Sequence, residues 1–315
     1  MNLNNFLYRF KYRYGQHLPL TVPVDVSLEL ASHCNMACSY CYHGDPRHLP
    51  FQRGMMLTET AIDIIDQAAA LGVNSLKFNW KGESTLHPDF PEITRYAALR
   101  AHGGVFIDRL TNSNFKFPTE NERIFEGLCN QTKVKVSFDS FDKKVFETQR
   151  AGGIWDLTYA NLKKFHDHPM RTKTQLVIQA VRTTLNADED IAGRAAKEFP
   201  DATISIRDMV AGRVNKDVSS MEHRARDLSQ RQSCLQAHVR MIFNHEGRCF
   251  PCCPDIGEKL CIGDIRKNSL YEIFNSHEAI GLRKSLKDKS AFNSDPCKNC
   301  SSFETYAGFK PTWGS

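Results

Sequence analysis

Six short strand-like stretches constrain the fold of this chain more than any other feature. Each is followed by a segment long enough to form a helix. They cover residues 24–30, 75–80, 105–111, 134–139, 176–182 and 203–208. Strands that alternate with helices are typical of βαβ units and a parallel sheet. Because six units are fewer than those of a closed TIM barrel, we expect an α/β fold with a partial (β/α)6, TIM-like barrel.

One of the connecting segments carries a clear helical signal. In residues 58–71, Ile62 and Ile65 have helical spacing, and Gly72 stands where a glycine commonly ends a helix. The opening residues 6–14 alternate aromatic with basic side chains. We expect a helix there that caps the barrel; contact with nucleic acid or a membrane is the alternative.

The strand-like stretches alternate apolar with polar side chains. In the first, Val24, Val26 and Leu28 share one face, and Asp25 and Glu29 share the other. Parallel strands covered on both faces normally read as continuous apolar runs. We therefore expect helices over the apolar face and a lumen, lined by the polar face, that holds a polar ligand. A sheet with one face open to solvent also fits the alternation.

The cysteine content separates this chain from an ordinary globular protein. It has 11 cysteines in 315 residues, an odd number in a long chain without a signal-peptide core, so disulfides are not expected. No apolar run reaches the roughly 18 residues of a transmembrane helix. A net charge of +5 is too dilute to indicate a nucleic-acid partner. We expect a cytoplasmic protein with free thiols, several of them metal ligands.

The composition changes in the last third of the chain. Residues 211–231 are polar and charged, as in a linker helix, and cysteine, glycine and proline become frequent from residue 233 onward. We therefore expect an N-terminal segment over residues 1–21, the barrel over 22–220 and a small cysteine-rich domain over 221–315.

The first group of cysteines directly follows the first strand. Cys34, Cys38 and Cys41 have the spacing C-x3-C-x2-C. Thiolates in a tight loop select zinc or an iron–sulfur cluster. Three ligands do not complete a structural zinc site, although His33 or His43 would supply a fourth. A cubane cluster held by three cysteines keeps one iron without a protein ligand.

This spacing, with Tyr40 before the last cysteine, resembles the signature of the radical S-adenosylmethionine (SAM) superfamily. Further segments match that family in order along the strands. Lys81-Gly82-Glu83 resembles its Gly-Gly-Glu motif, with Lys81 in place of the first glycine. The cofactor-binding residues that the resemblance implies are Tyr40, Gly82, Glu83, Asn112, Ser137, Asp139 and Arg150.

The resemblance implies a cofactor pair and a reaction type. A [4Fe-4S] cluster on Cys34, Cys38 and Cys41 would bind SAM at its open iron. Reductive cleavage of SAM would give methionine and a 5′-deoxyadenosyl radical, which abstracts a hydrogen from the substrate. The protein's part would be to orient the substrate and exclude water and oxygen.

The tail contains a second group of cysteines. Cys234, a glycine 13 positions later, Cys252 and the pair Cys297 and Cys300 resemble the SPASM/twitch extension of radical SAM enzymes. No cysteine follows Cys300, so the shorter twitch form with one auxiliary [4Fe-4S] cluster is expected. Four cysteines would ligate that cluster fully and suit it to electron transfer.

Two uncertainties accompany this second group. Structural zinc bound by the same four thiols is the alternative metal. Cys249 or Cys253 is close enough in sequence to replace Cys252 as the ligand. Cys129 and Cys261 are interpreted as ordinary buried thiols.

The function we expect is a radical SAM oxidoreductase, similar to a dehydrogenase. It would abstract a hydrogen from a polar substrate, and the auxiliary cluster would accept an electron. An external reductant such as flavodoxin or ferredoxin would supply the electron for SAM cleavage. Candidate substrate-contacting and catalytic residues lie on the polar strand face: Glu29, Lys77, Asn79, Lys135 and Arg207.

Two other functions remain open at this point. The same machinery would serve a peptide- or protein-modifying enzyme that forms thioethers, epimerises or oxidises residues. A non-catalytic protein that binds zinc or a cluster would cleave no SAM and would not need Gly82 or Glu83.

Overall fold

The computed structural model describes residues 3–45, 49–208, 234–298 and 300. Its strands are β1 (Asp25–Leu28), β2 (Ser75–Phe78), β3 (Asp108–Ser113), β4 (Lys133–Ser137), β5 (Gln175–Arg182), β6 (Thr203–Asp208), β7 (Arg240–Phe243), β8 (Arg248–Phe250) and β9 (Gly263–Asp264). Its helices are α1 (Leu3–Tyr14), α2 (Thr58–Ala70), α3 (Phe90–Leu99), α4 (Glu122–Cys129), α5 (Lys143–Gln149), α6 (Trp155–His166), α7 (Ile191–Glu198), α8 (Gln236–Val239), α9 (Leu270–Phe274) and α10 (His277–Lys287). The predicted boundary near residue 220 and the linker helix over 211–231 lie outside the described residues.

The first six strands form the partial barrel that the sequence predicts. They are parallel and lie in chain order, so that each strand pairs with the next. Strand β1 pairs with β2 on one side and with β7 on the other, rather than with β6. The α/β class and the open (β/α)6 arrangement are therefore confirmed.

The strand boundaries agree with the sequence prediction to within two residues, except at the start of β3. That strand runs from Asp108 to Ser113, several residues later than expected, because Gly103, Gly104 and Phe106 all have positive φ and form a turn. Helix α2 ends as predicted, with Gly72 at a φ of 69°. Its buried side chains are offset by one position from the predicted face: Ala61, Ile64, Ile65 and Ala68.

Both faces of β1 are removed from solvent. Val26 and Leu28 are fully buried in the main core, which is where the helices pack. Asp25, Ser27 and Glu29 on the other face are also at most 3% exposed. The polar face of this strand therefore lies inside the barrel, and an open sheet is wrong for β1. At the edge strand β6 the polar face reaches solvent, where Arg207 is exposed.

Helix α1 closes the barrel at the amino ends of the strands. The Tyr8 hydroxyl donates to Asp108 Oδ2 over 3.0 Å, and the Tyr12 hydroxyl accepts from Arg240 Nη2 over 2.8 Å. These contacts confirm the prediction that the opening helix caps the barrel. We call this end of the barrel the floor. Within the described ranges, no helix combines the length and apolarity needed to cross a membrane.

The tail extends the same sheet rather than forming a separate one. Strand β7 runs parallel to β1, and β8 and β9 follow it as antiparallel strands. The resulting sheet has nine strands. A cysteine-rich tail was expected from the sequence, but its pairing with the first strand was not, because no local pattern reports which edge a strand joins.

Candidate active site

The first three cysteines lie in a loop, residues 34–41, that leaves the carboxyl end of β1. The Ala37 N–H donates to the Ala151 carbonyl over 2.7 Å, and the Ser39 N–H donates to the Gln149 carbonyl over 3.1 Å. The loop is therefore held against the segment that follows α5. That segment contains Arg150, one of the residues assigned to the cofactor from the sequence.

Gly82 is needed where the chain after β2 crosses the start of this loop. The Glu83 N–H donates to the His33 carbonyl over 2.8 Å. A Cβ atom at position 82 would lie 2.3 Å from the carbonyl oxygens of Ala31 and His33. Only glycine permits this approach, so Gly82 fixes the entry of the cysteine loop.

The three thiols form one electrostatic group. Cys34 interacts with both Cys38 and Cys41, and burial, followed by the Glu83 carboxylate, raises the pKa of Cys34 to about 12. Asn114 Nδ2 lies 3.9 Å from the Cys34 sulfur, and Arg150 Nη1 lies 3.8 Å from the Cys38 sulfur. Buried thiols with nearby donors suit a metal cluster, because the metal supplies the charge that stabilises thiolates.

Neither the loop nor the rest of the described chain presents a ready site for a single metal ion. No three His, Cys, Asp or Glu side chains among the described residues meet in an arrangement that would hold one ion. His43, a possible fourth zinc ligand in the sequence, lies with Nε2 3.0 Å from the Lys81 carbonyl oxygen. The interpretation of Cys34, Cys38 and Cys41 as cluster ligands rests on their spacing and on their mutual interaction.

Asp139 is the centre of a buried network behind the loop. Its Oδ1 accepts from Arg150 Nη2 at 2.8 Å and from the Val181 N–H at 2.9 Å. Its Oδ2 accepts from the Tyr40 hydroxyl at 2.6 Å and from Gln149 Nε2 at 2.9 Å. Both oxygens are engaged, so the carboxylate fixes Tyr40 and Arg150. Direct contact of Asp139 with SAM stays a prediction.

Glu83 is similarly held in place. Its Oε1 accepts from the Thr85 hydroxyl over 2.7 Å, and its Oε2 accepts from the Asn114 N–H over 2.7 Å. Burial raises the pKa of the Glu83 carboxyl, although these donors oppose the shift. The side chain lies between the cysteine loop and the end of β3. A positively charged amino group bound at this place would contact the Glu83 carboxylate.

Three polar oxygens at the carboxyl ends of β1, β2 and β3 have no hydrogen-bond partner among the described residues. They are Glu29 Oε1, Asn79 Oδ1 and Asn112 Oδ1, and each is shielded from solvent. Extending the parallel register places Glu29 beside Asn79 and Asn79 beside Asn112. Unsatisfied buried oxygens are costly, so this row has the chemistry of a binding surface for a donor group.

The remaining residues predicted to contact substrate lie apart from this row. Lys77 is hydrogen-bonded to Asp25 at the floor. Lys135 and Ser137 are half-buried on β4, and burial, aided by Arg207 and Lys77, lowers the pKa of Lys135 to about 8. The structure therefore places Glu29 beside Asn79, whereas Lys77 forms a hydrogen bond with Asp25 at the floor.

The tail cysteines also form one group. Cys252 interacts electrostatically with Cys234 and Cys300, and Cys234 interacts with Cys297 and Cys300. Burial raises the pKa of Cys252 well above its usual value. These four thiols are the set that the sequence assigned to the auxiliary cluster, and their proximity fits such a group.

The alternative ligands differ in position. Cys249 is fully buried in the core on β8 and interacts with Cys261 rather than with the four thiols. Cys253 is adjacent to the group, with its sulfur 3.6 Å from Gln236 Nε2. Cys261 was expected to be buried, but it is exposed. The next residue, Ile262, packs in the core instead.

Lys81 joins the loop region to the tail, a role that the sequence did not reveal. Its ammonium pairs with Glu258 and lies 3.4 Å from Glu29 Oε2. It also lies 4.1 Å from the centre of the Trp80 ring, and the Trp80 indole N–H donates to the Cys253 carbonyl over 3.0 Å. The only sequence signal was that Lys81 occupies a glycine position of the family motif.

Comparison with known proteins gives two family matches. Residues 28–183 match the radical SAM superfamily, and residues 234–301 match the iron–sulfur cluster-binding domain SPASM. The two matches together cover most of the chain. A radical SAM domain implies a [4Fe-4S] cluster with SAM, and a SPASM domain implies auxiliary iron–sulfur binding.

Two curated relatives are similar over part of their length. The mycofactocin maturase MftC of Mycobacterium tuberculosis (strain CDC 1551 / Oshkosh) is 28% identical over 150 residues, which is 46% of this chain and 34% of the maturase. The S-adenosyl-L-methionine-dependent 2-deoxy-scyllo-inosamine dehydrogenase of Niallia circulans is 25% identical over 158 residues, which is 46% of this chain and 59% of the dehydrogenase. The match thus spans less than two thirds of either relative.

A solved structure extends the likeness to the whole fold. Streptococcus suis SuiB bound to precursor peptide SuiA aligns with a TM-score of 0.65 and 14% sequence identity, over 89% of this chain and 70% of SuiB. The shared fold includes both the barrel and the tail. The chain is therefore a radical SAM enzyme and belongs to the radical SAM superfamily, with a C-terminal SPASM domain.

Proposed function

We propose that the protein is a radical SAM oxidoreductase that removes a hydrogen from a polar substrate bound at the carboxyl ends of β1–β3. The observation that carries this proposal is the row of unpartnered oxygens on Glu29, Asn79 and Asn112. A substrate with hydroxyl or amine donors would satisfy them, and an apolar substrate would leave them unpaired at a cost of about 1–3 kcal/mol each.

Each of these residues has a distinct part in substrate binding. When bound, SAM and its cluster supply the radical that takes the hydrogen atom. Glu29 accepts the proton that the substrate hydroxyl loses on oxidation to a carbonyl, while its second oxygen stays fixed near Lys81 and the His245 N–H. Asn79 and Asn112 orient the substrate donors. Lys135 and Arg207 extend the polar lining toward β6, whereas Lys77 keeps its contact with Asp25.

The cofactor side of the site follows the same plan. Gly82 and Glu83 would bind the amino group of SAM, and Ser137 on β4 would contact its ribose. Tyr40 and Arg150 hold the cysteine loop through Asp139. Cys34, Cys38 and Cys41 ligate the SAM-binding cluster.

Net oxidation requires that one electron leave the substrate after the hydrogen atom. Cys234, Cys252, Cys297 and Cys300 would ligate one auxiliary [4Fe-4S] cluster, which would supply the acceptor for this electron. An external reductant such as flavodoxin or ferredoxin supplies the electron for SAM cleavage. We place the enzyme in the cytoplasm, because a chain with so many cysteines outside disulfide bonds suits a reducing compartment.

Modification of a peptide is the second candidate function. Its support is the sequence similarity to the maturase MftC and the fold similarity to SuiB, whose structure holds a precursor peptide. The same radical step and the same cysteine groups would serve it. The two functions differ in the molecule that donates hydrogen to the 5′-deoxyadenosyl radical.

The first test is anaerobic reconstitution followed by iron counting and measurement of 5′-deoxyadenosine. We expect about eight irons per chain for two cubane clusters. Cys38→Ala should leave about four irons and abolish SAM cleavage. Cys261→Ala, which removes an exposed thiol, should retain about eight irons and full SAM cleavage. About four irons and one zinc in the native chain would disprove the auxiliary electron acceptor.

The second test identifies the substrate class. Deuterated polyols and amino sugars are compared with deuterated candidate peptides for transfer of label into 5′-deoxyadenosine. Transfer from the small alcohols, together with formation of a carbonyl product, supports the oxidoreductase. Transfer from peptides alone would establish the second candidate in its place.

A further inference from the structure

A basic groove lies where the segment after α1 meets α10 and α8. Its volume is about 240 Å³. Its lining includes Gln16, His238, Ile280, Arg283, Lys284 and Lys287, together with apolar residues at 18–20. The four residues from α10 have the spacing i, i+3, i+4 and i+7, so one face of that helix forms a wall of the groove.

Among the described residues, no carboxylate forms an ion pair with the cations of this groove. No Asp or Glu lines it, and Arg283, Lys284 and Lys287 form no ion pair within the described part of the chain. Arg283 is fixed in place, because its Nη2 donates to the Phe274 carbonyl over 2.7 Å. Burial, followed by the charges of Arg283 and Lys287, lowers the pKa of His238 to about 4.

The groove is adjacent to the auxiliary cysteines. Helix α8 is a single turn of four residues that begins two positions after Cys234. Its first residue, Gln236, lies with Nε2 3.6 Å from the Cys253 sulfur, and its third residue, His238, lines the groove. One helical turn therefore separates the thiol group from a positively charged surface.

An apolar side chain lies next to these cations. Ile280 on α10 is 39% exposed and lies one helical turn before Arg283 and Lys284 on the same face of the helix. Electron-transfer partners form small, transient interfaces, commonly under about 1,200 Å² in total, in which complementary charge guides the approach. A basic surface with an exposed apolar residue at its edge has this composition.

We propose that this groove docks an acidic one-electron carrier protein, such as a flavodoxin, next to the auxiliary cluster. The inference rests on the proposed oxidoreductase function, in which each substrate oxidised leaves one electron on that cluster. In the docked complex one electron leaves the reduced auxiliary cluster and enters the oxidised carrier, and no bond forms or breaks. The carrier is recognised by its negative surface, which meets Arg283, Lys284 and Lys287.

The test uses the reconstituted holoenzyme and a purified acidic flavodoxin in its oxidised form. The groove variant carries Lys284→Glu and Lys287→Glu. A control variant carries Lys144→Glu and Lys197→Glu, which change net charge equally at two exposed positions on α5 and α7. We measure flavodoxin binding by titration calorimetry at low and high salt, and the rate at which flavodoxin reoxidises the dithionite-reduced enzyme.

Reversal of two charges in the groove should weaken flavodoxin binding and slow reoxidation by at least about tenfold at low salt, and the difference should shrink at high salt. Substrate oxidation driven by dithionite should be unchanged. Equal binding of wild type and groove variant, an equal loss in the control variant, or no binding by wild type would each disprove the docking site. If dithionite drives no substrate oxidation in any variant, the proposed function fails instead, while the binding titration still decides the docking site.

Discussion

The two ends of the barrel differ in the hydrogen-bond partners of their buried polar side chains. At the floor, Asp25 is hydrogen-bonded to Lys77 and lies 3.4 Å from Arg240 Nε. At the other end, one oxygen of Glu29 and the oxygens of Asn79 and Asn112 have no partner among the described residues. The floor is thus a finished structural contact, and the carboxyl end is a surface prepared for another molecule.

This difference explains why polar alternation alone is a poor guide to function. Asp25 and Glu29 lie on the same face of one strand, and both are fully buried. Only their partners separate them, and these partners come from distant parts of the chain. Four predictions test whether the division between floor and carboxyl end is real.

The largest effect is expected from Asp25→Asn at the floor. Removal of this charge would leave Lys77 and Arg240 uncompensated, and loss of one partner from a buried charge group costs about 3–5 kcal/mol. Chemical denaturation should show this loss in the free energy of unfolding. The rate of SAM cleavage per folded molecule should be unchanged; a selective loss of cleavage would show that the floor also serves the chemistry.

Glu29→Gln at the carboxyl end should give the opposite result. We expect substrate oxidation to fall by about 10²-fold or more, because a general base is removed. The free energy of unfolding should change little, since Lys81 keeps its ion pair with Glu258. Turnover and denaturation are measured on the same preparation, and a stability loss as large as that of Asp25→Asn would remove the distinction between the two ends.

Acid sensitivity provides a third test. Burial raises the pKa of Asp25, but Arg240 and Lys77 together outweigh burial and lower it. A depressed native pKa stabilises the fold above the unfolded value of about 3.9, and this stability is lost as pH falls through the native pKa. Wild type should lose stability on acidification below about pH 4 more steeply than Asp25→Asn, as measured by unfolding at several pH values. Parallel curves would contradict this.

The smallest effect is expected from Tyr12→Phe. The substitution removes the hydroxyl that accepts a 2.8 Å hydrogen bond from Arg240 but keeps the ring. A hydrogen bond to a charged group is worth about 1.5–3 kcal/mol, and Arg240 retains Asp25 as a partner, so the lower end is expected. Thermal unfolding measures the loss, with Tyr14→Phe on the exposed part of α1 as the matched control.

Sequence patterns were sufficient for the parts of this protein that depend on local spacing. The six strands, the end of α2 at Gly72 and both cysteine groups follow from residue periodicity or motif spacing. The requirement for glycine at position 82 was implied by the resemblance and has a direct steric cause in the carbonyls of Ala31 and His33. These features involve short separations, in sequence or across neighbouring strands.

Features that depend on distant contacts were missed or left open. The exposure of Cys261, the structural contact of Lys77 and the link from Lys81 to Glu258 all involve segments far apart in the chain. The choice between Cys249 and Cys252 was open for the same reason. Strand β8 buries Cys249 in the core, and nothing in the local sequence reports that orientation.

The parallel pairing of β7 with β1 has a consequence for any attempt to divide this enzyme. A fragment that stopped before residue 240 would leave the backbone of β1 as an open edge, which invites aggregation. It would also remove Arg240 from Asp25 and leave this buried carboxylate with Lys77 as its remaining ion-pair partner among the described residues. The first strand carries the cysteine loop at its end, so truncation of the tail would damage SAM cleavage even if electron transfer through the tail were dispensable.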